Sequence, residues 1–235
     1  MATAIARQDG NGLIDKLSRR DGLRFVGKCE SVDLVPGDIL SEPDQAFPSA
    51  YFPIAGVISV MTMSSHRPPL ELGLIGRDGM LGATLSLGVL AAPMRSVVQG
   101  AGTALVMAVA QLRIELRNNP RLVQILHRYQ FRLTMQLLQT ATCTHFHEIE
   151  PRLARWLLMI HDLSTSDSVR FTHEDLAHTL GVRRSGVTIA AGALQQRGLI
   201  SYTRGDISIL DRRGLEGAAC GCYAGLIEKY RLVFG

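Results

Sequence analysis

The sequence predicts an α+β protein with three successive parts: a small antiparallel β-barrel or sandwich, a long helix, and a pair of helices followed by a β-hairpin. Two observations predict this order. Turn signals recur every few residues between about 24 and 110 and then stop, which is typical of short antiparallel strands. After Asn119 apolar residues recur at steps of three and four, which is typical of amphipathic helices. A chain of 235 residues, 46% of them hydrophobic, is long enough to bury a core without disulfides.

The composition excludes membrane-spanning, collagen-like and disordered proteins. The longest apolar runs, 85–94 and 101–110, are broken by Gly, Pro, Ser or Thr and are shorter than the roughly 18 residues that span a bilayer. The first twelve residues lack the apolar stretch of a signal peptide. Four scattered cysteines are too few for a secreted disulfide framework. We therefore expect a cytoplasmic protein that does not bind membranes.

Residues 1–23 are predicted to form a loose tail and a short amphipathic helix over 12–20. Residues 24–118 are predicted to form the β-domain, because short apolar runs such as 57–61 and 103–109 alternate with Gly- and Pro-containing turns. These turns lie at 35–38, 55–56, 67–69, 76–79 and 100–102.

Residues 119–147 are predicted to form a long helix and a hinge. Pro120 suits the first helical turn, and Asn119 or Asn118 can cap it. One apolar stripe follows, made of Leu122, Leu126, Tyr129, Leu133 and Leu137. A single stripe on a long helix needs a partner surface, which is either its own β-domain or the same helix of a second subunit. We predict a homodimer, with the chain break at 145–151.

Residues 148–235 are predicted to contain two helices that cross closely. Thr172 can cap the first helix, 173–180, with Asp175 reaching back to it. Gly181 suits the left-handed turn that follows, and Val187 can anchor the second helix, 183–197, on the first. The N-terminal end of such a second helix is where a helix-turn-helix meets base edges in the major groove of DNA.

Two alternating strands, 199–203 and 207–210, flank Gly205 and predict a β-hairpin wing. Between 183 and 213 six arginines oppose two aspartates. Guanidinium groups suit phosphates and guanine edges, so this segment favours double-stranded DNA as the partner. The chain has 22 arginines and 3 lysines, a bias that a GC-rich gene would also produce. The alternative is an ordinary helical hairpin with solvated arginines.

The stretch TxExLAxxLGVRRxxVTxAAxxLxxxGLI, 172–200, resembles the winged helix of the Crp/Fnr family of bacterial transcription regulators. Segments 35–40 and 51–57 are similar to early strands of that family's β-domain, so the resemblance extends over about 24–210. It implies an antiparallel β-roll or jelly roll of the cyclic-nucleotide-binding type, a dimerisation helix and a C-terminal winged helix-turn-helix. It also implies transcription regulation from a two-fold symmetric DNA site, with RNA polymerase as a further partner.

The resemblance assigns DNA-binding roles to five residues. Arg184 matches a base-reading arginine, which would contact guanine O6 and N7. Ser185 stands where a cyclic-AMP-binding member of the family has an acidic residue, so that member's half-site is not implied. Arg183, Thr188 and Arg204 are expected to contact phosphates or the edges of the site.

The cyclic-nucleotide cassette of the family is incomplete. It needs a Gly-Glu pair and a later Arg-Ser or Arg-Thr, whereas Gly82 precedes Ala83 here and only Arg95 and Ser96 match. We therefore expect an effector other than cyclic AMP, with Arg95, Ser96 and Gly82 as candidate effector-binding residues. One alternative is a cyclic-nucleotide-responsive regulator that uses Arg95. Another is a small-molecule-binding protein whose winged helix makes protein contacts.

We predict no metal site, no cofactor and no catalytic residues. Cys220 and Cys222 fall in a predicted C-terminal helix, where residues two apart face different directions. His145 and His147 lie near a helix end, where histidines commonly cap carbonyl groups. An iron–sulfur site would need several cysteines ahead of the β-domain, where only Cys29 lies. Motifs typical of hydrolases, phosphate loops and zinc proteases are missing from the sequence.

Overall fold

The computed structural model of the protein describes residues 10–64, 67–164 and 168–234. The predicted tail at 1–9 lies outside these described residues. The helix predicted over 12–20 is misplaced: a short 3-10 helix spans Ile14–Lys16, and helix α1 spans Arg19–Val26. Ser18 sets the start of α1 because its side chain accepts a hydrogen bond from the backbone N–H of Asp21.

Seven antiparallel strands form the predicted β-domain. They pair into two sheets with the orders β1-β7-β3 and β2-β6-β4-β5. A 3-10 helix, Ala83–Leu87, lies between β5 and β6. The antiparallel β-roll expected from the sequence is confirmed. Its strands are β1 Glu30–Leu34, β2 Ile39–Ser41, β3 Ser49–Pro53, β4 Val57–Ser64, β5 Arg67–Ile75, β6 Arg95–Gly100 and β7 Gly102–Ala108.

Two helices follow the β-roll. Helix α2, Val109–Asn118, was not predicted, whereas the long helix α3, Pro120–Phe146, begins at the predicted cap. The Asn119 side chain accepts a hydrogen bond from Leu122 N at 3.1 Å. Leu122, Leu126 and Tyr129 of the predicted stripe are buried in the β-roll core. The first half of the stripe therefore packs on the chain's own β-domain.

The C-terminal part has its own core, and a three-stranded sheet of order β8-β10-β9 flanks its helices. Helix α4 begins at Ile149, with Pro151 in its first turn, so only His147 and Glu148 separate α3 from α4. The elements are α4 Ile149–Leu163, β8 Ser168–Arg170, α5 His173–Leu180, α6 Arg184–Gln196, β9 Ile200–Thr203, β10 Asp206–Ile209, α7 Arg212–Ala218 and α8 Cys222–Phe234.

Helix α8 lies antiparallel along α3. Lys229 Nζ donates to Gln139 Oε1 at 3.2 Å, and the guanidinium of Arg132 lies 4.7 Å from the ring centroid of Tyr230. The single helix predicted after Arg213 is in fact two helices, interrupted at residues 219–221. Among the described residues, no helix is long and apolar enough to cross a bilayer.

Strand β5 joins the β-roll to the C-terminal part. Trp156 Nε1 of α4 donates to Glu71 Oε1 at 2.6 Å, and Gly76 packs against Leu163 at the end of α4. Leu70 lies against Gly181, the turn between α5 and α6. The two parts of the molecule are therefore in direct contact, and Leu74 of β5 and Val57 of β4 are also buried in the C-terminal core.

Replacing Gly181 by alanine should lower the free energy of unfolding by about 1–2 kcal/mol, because its φ of +64° is the left-handed conformation that a Cβ disfavours. The measurement is urea unfolding at equilibrium. Gly217→Ala is the matched control, since an added Cβ there meets open space and should leave stability unchanged or slightly raised. Equal effects of the two substitutions would contradict this account of the turn.

Candidate nucleic-acid interface

The helix pair α5 and α6 is set by two local features that the sequence predicted, the cap at the start of α5 and the turn at its end. Thr172 Oγ1 accepts from Asp175 N at 3.1 Å, and Asp175 Oδ2 accepts from Thr172 N at 2.8 Å. Gly181 then takes the left-handed conformation that ends α5. This reciprocal cap fixes where α5 begins, and the glycine fixes the direction in which the chain enters α6.

Helix α6 has one buried face and one exposed face. Val187, Ala190, Ala191 and Leu194 are buried against the C-terminal core. Arg183 stands at the N-cap position without a side-chain capping bond, and Arg184, Ser185 and Thr188 are all exposed on the opposite face. The predicted DNA-contacting residues of this helix therefore share one solvent-facing surface at its N-terminal end, where the helix dipole also favours phosphate groups.

Sequence reasoning missed Ile189, whose side chain is 74% exposed on the same surface. An exposed branched apolar residue beside Ser185 and Thr188 suits contact with a thymine methyl group. The sequence signal for this residue was its position four residues after Ser185, which places the two side chains on the same face of the helix.

Thr188 is held between the two helices. Its Oγ1 donates to the carbonyl oxygen of Arg184 at 3.1 Å and lies 3.0 Å from His173 Nδ1. The His173 ring in turn packs edge-on against Tyr202 of the wing, with centroids 4.7 Å apart. Burial and the nearby charge of Arg184 lower the pKa of His173, so this histidine is neutral at pH 7 and links α5, α6 and the wing without adding charge.

The predicted wing is a two-residue hairpin. Strands β9 and β10 pair in antiparallel register from Thr203↔Asp206 to Ile200↔Ile209. Arg204 and Gly205 occupy the turn, both with positive φ, at 53° and 92°. This is the geometry of a tight turn that matches strand twist. It leaves the Arg204 side chain exposed at the tip.

Two of the six arginines in this segment are neutralised by acids. Arg197 pairs with Glu150 at 2.6 Å, and Arg212 pairs with Asp162 at 2.6 Å and Glu216 at 3.0 Å. The other four are exposed and, counting only described residues, have no carboxylate within 4.0 Å: Arg183, Arg184, Arg204 and Arg213. Three of these four belong to α6 and the tip of the wing, so unpaired positive charge is concentrated at this surface.

Solved structures share the fold of most of the chain. FixK2 from Bradyrhizobium japonicum superposes with a TM-score of 0.70 at 11% identity, covering 82% of this chain and 98% of its own. A transcriptional regulator of the CRP/FNR family from Thermus thermophilus gives a TM-score of 0.64 at 20% identity, covering 81% and 98%. The c-di-GMP-responsive global regulator CLP from Xanthomonas campestris gives 0.62 at 16% identity, covering 80% and 96%. A comparison with curated protein sequences finds no match.

Residues 151–218 match the family model of the Crp-like helix-turn-helix domain. This segment therefore carries a Crp-like helix-turn-helix domain. The matched segment runs from the first turn of α4 to the end of α7 and so contains the helix pair and the wing.

The candidate effector residues lie at two places in the β-roll. Arg95 and Ser96 open β6, and Gly82, with φ +90°, precedes the 3-10 helix. Arg95 makes a bidentate ion pair with Glu42, with Nε–Oε2 at 2.9 Å and Nη2–Oε1 at 2.6 Å. Ser96 is buried. An effector anion that used Arg95 would therefore have to displace Glu42, and the effector role of the three residues stays a prediction.

Glu71 was not identified from the sequence, yet it is the buried carboxyl group at the contact between the β-roll and α4. It accepts hydrogen bonds from Ser59 Oγ at 2.7 Å and Trp156 Nε1 at 2.6 Å. Burial raises its pKa to about 7, although both hydrogen bonds and the nearby Arg155 act in the opposite direction. A carboxyl group whose pKa is raised to about 7 thus lies between the β-roll and the C-terminal part of the molecule.

A second feature missed by the sequence analysis is a group of four potential metal ligands: Cys143, His147, Cys220 and Cys222. The prediction of one continuous helix through Cys220 and Cys222 separated their side chains, but the helix break at 219–221 brings them together. The i, i+4 spacing of Cys143 and His147 at the end of α3 was the signal that could have found the group.

Glu71→Gln should remove a pH dependence of stability. The ordinary pKa of this carboxyl is 4.5 and the folded value is about 7, so between these values the folded state binds a proton that the unfolded chain has released. The free energy of unfolding therefore falls by at most about 3 kcal/mol as pH rises from about 5 to about 7, and it is constant above pH 7.

Urea unfolding from pH 5 to 8 measures this slope. The Glu71→Gln variant should show a flatter profile in this range, whereas the matched control Glu30→Gln, at an exposed site, should keep the wild-type profile. A Glu71→Gln profile that parallels the wild type would contradict the assignment.

Proposed function

We propose that this protein is a Crp/Fnr-type transcription regulator that binds a two-fold symmetric DNA site in a sequence-specific manner, as a homodimer. The observation that carries the proposal is the shared surface of α6 and the wing, where Arg183, Arg184 and Arg204 are exposed without acidic partners among the described residues. Unpaired guanidinium groups attract the phosphate backbone and can also read guanine edges.

Within this proposal the five residues have different roles. Arg184 reads a guanine through O6 and N7. Arg183 and Arg204 contact phosphates on either side of the groove. Ser185 and Thr188 face the base edges, although the Thr188 hydroxyl already donates to the carbonyl of Arg184 and is better placed to position that arginine.

The dimer is proposed to form through the face of α3 that carries the exposed Phe131 and Leu138. Phe131 and Leu138 are 54% and 56% exposed there. They lie seven residues apart, the spacing of a two-helix coiled coil. Two copies joined along this face would present two α6 helices to successive major grooves about 34 Å apart.

The three predicted parts then act as a β-roll sensor domain (24–118), a dimerisation helix with its hinge (119–147) and a DNA-binding domain (148–235). The effector is proposed to be other than cyclic AMP, because Glu42 already binds Arg95 and no Gly-Glu pair supplies the ribose-binding carboxylate. RNA polymerase as a partner and a cytoplasmic location remain predictions from the family resemblance.

Selection from random duplex DNA at about 0.15 M salt, without added ligand, tests sequence-specific binding. Purified protein should enrich a palindrome whose half-sites lie about one helical turn apart. Arg184→Ala should weaken binding to the selected site by roughly 5- to 150-fold, corresponding to about 1–3 kcal/mol, as measured by fluorescence anisotropy.

Arg121→Ala is the matched control, because it removes one equal charge from an exposed position on α3 and should leave affinity nearly unchanged. Equal binding by wild type and Arg184→Ala would contradict DNA readout by α6. It would favour the alternative in which the winged helix contacts another protein.

The double substitution Phe131→Glu and Leu138→Glu should convert the dimer to a monomer, because two carboxylates per helix would face each other across the interface. Sedimentation velocity measures this change, and affinity for the palindrome should fall to that for a single half-site. Leu23→Glu, at a leucine 67% exposed on α1, should remain dimeric. An unchanged dimer in the double variant would exclude this face.

A further inference from the structure

Four side chains from two segments of the chain converge where α3 ends. Cys143 lies in the last turn of α3, and His147 follows the helix as its C-cap. Cys220 lies between α7 and α8, and Cys222 is the first residue of α8. Their ligand atoms all lie within 4.8 Å of one another, and the three cysteines are buried.

The distances within this group match a tetrahedral metal site. Cys143 Sγ lies 3.4 Å from Cys220 Sγ, and Cys222 Sγ lies 3.5 Å from His147 Nδ1. In tetrahedral zinc sites the Zn–S bond of about 2.3 Å and the Zn–N bond of about 2.0 Å place neighbouring ligand atoms roughly 3.5–3.8 Å apart. Two edges of the tetrahedron are therefore nearly formed, and the longer ones need shifts of about 1 Å to close.

We propose that Cys143, His147, Cys220 and Cys222 bind one Zn²⁺ ion in a closed structural site. Three thiolates and one imidazole form a soft ligand set that selects zinc over magnesium or calcium. Four protein ligands leave no open position for substrate or water, which is typical of structural rather than catalytic zinc.

A second observation supports an anionic metal centre here. Three thiolates on Zn²⁺ carry a net charge of −1, and two buried arginines of α4, Arg152 and Arg155, line one cavity of about 30 Å³ together with Cys143. Within the described part of the chain, neither arginine has a carboxylate within 4.0 Å. The other charge-bearing group of this cavity is Glu71, which carries a proton below about pH 7.

The hydrogen bonds of these arginines lead to neutral groups. Arg152 Nη2 donates to the carbonyl of Leu180, and Arg155 Nη2 donates to Thr140 Oγ1 at 3.2 Å. Arg155 Nε has no partner among the described residues. A buried cation without a counter-charge is costly, and a zinc–thiolate centre supplies that charge.

The position of the site gives the ion a defined task. His147 lies between α3 and α4, whereas Cys220 and Cys222 belong to the segment that carries α8. Zinc would therefore fasten α8 to the end of α3 at the hinge that leads to the DNA-binding domain. This conclusion depends only on the ligand geometry, so it can fail or hold independently of DNA binding.

Metal analysis of the full-length protein, purified from zinc-supplemented cells, tests the proposal. We expect about one zinc per chain, removable by a chelator and replaceable by Co²⁺ with the thiolate charge-transfer and intense visible bands of tetrahedral cobalt. Chelation should also speed amide hydrogen exchange in α8, because the helix then loses its attachment to α3.

Three variants separate ligation from folding. Cys222→Ser should lose zinc and the cobalt bands, whereas Cys222→His keeps four ligands and should retain both. Cys29→Ser is the matched control, since this half-buried cysteine bonds to the Phe25 carbonyl outside the group and should bind zinc like the wild type. If Cys222→Ser does not fold, cobalt titration of chelator-treated wild type gives the same test.

Three results would overturn the proposal. The first is metal-free protein with four reactive thiols and no tetrahedral cobalt spectrum. The second is metal-free protein with only two thiols, which would show a Cys143–Cys220 disulfide instead. The third is iron with inorganic sulfide, which would show an iron–sulfur cluster.

Discussion

The rest of the structure depends on helix α3, because a single helix has room for only a few contact surfaces around its circumference. This helix of 27 residues carries three structural tasks on three faces. Leu122, Leu126 and Tyr129 close the β-roll core, and Gln139 with its neighbours receives α8. The remaining face carries Phe131, exposed in the single chain. Because each face is already assigned, a change of rotation or bend in α3 alters the β-roll, α8 and the proposed dimer contact together.

The β-roll and the C-terminal part of the molecule are in direct contact. Strand β5 reaches α4 through the buried hydrogen bond between Glu71 and Trp156, and it reaches the α5–α6 turn through Leu70 and Gly181. A buried polar contact of this kind is strong only while its partners stay aligned. Movement of β5 would therefore change the position of α4 and of the helix pair behind it.

The arginines of the C-terminal part fall into two groups, those paired with carboxylates and those exposed without a carboxylate partner among the described residues. Arg197 and Arg212 are bound by carboxylates of α4 and α7 and hold the domain together. Arg184 and Arg204 are exposed on α6 and at the wing tip, where their charge remains available to a ligand. The net charge of the segment therefore does not show that its unpaired positive charges lie together on one surface. The arginines at the hinge, in contrast, are buried. Arg152 and Arg155 lie beside thiol groups there and favour an anionic centre.

The sequence by itself determined the elements that rest on local physics. The Thr172–Asp175 cap, the left-handed Gly181 and the wing turn at Gly205 all formed as predicted, because each depends on residues within a few positions of one another. The order of β-roll, long helix and helix pair followed from hydrophobic periodicity in the same way.

Only the tertiary structure decided which surfaces meet. From the sequence, the apolar stripe that begins at Leu122 could pack equally well against a second subunit or against the β-roll. In the structure the first half of the stripe packs against the β-roll. The carboxyl of Glu71 and the group containing Cys143 and Cys222 join residues tens of positions apart in sequence, and no local pattern records such distances. Folding brings these polar groups from distant parts of the sequence into buried sites of low dielectric constant. In such sites the pKa of a carboxyl group shifts, and a metal ion can be enclosed by its ligands.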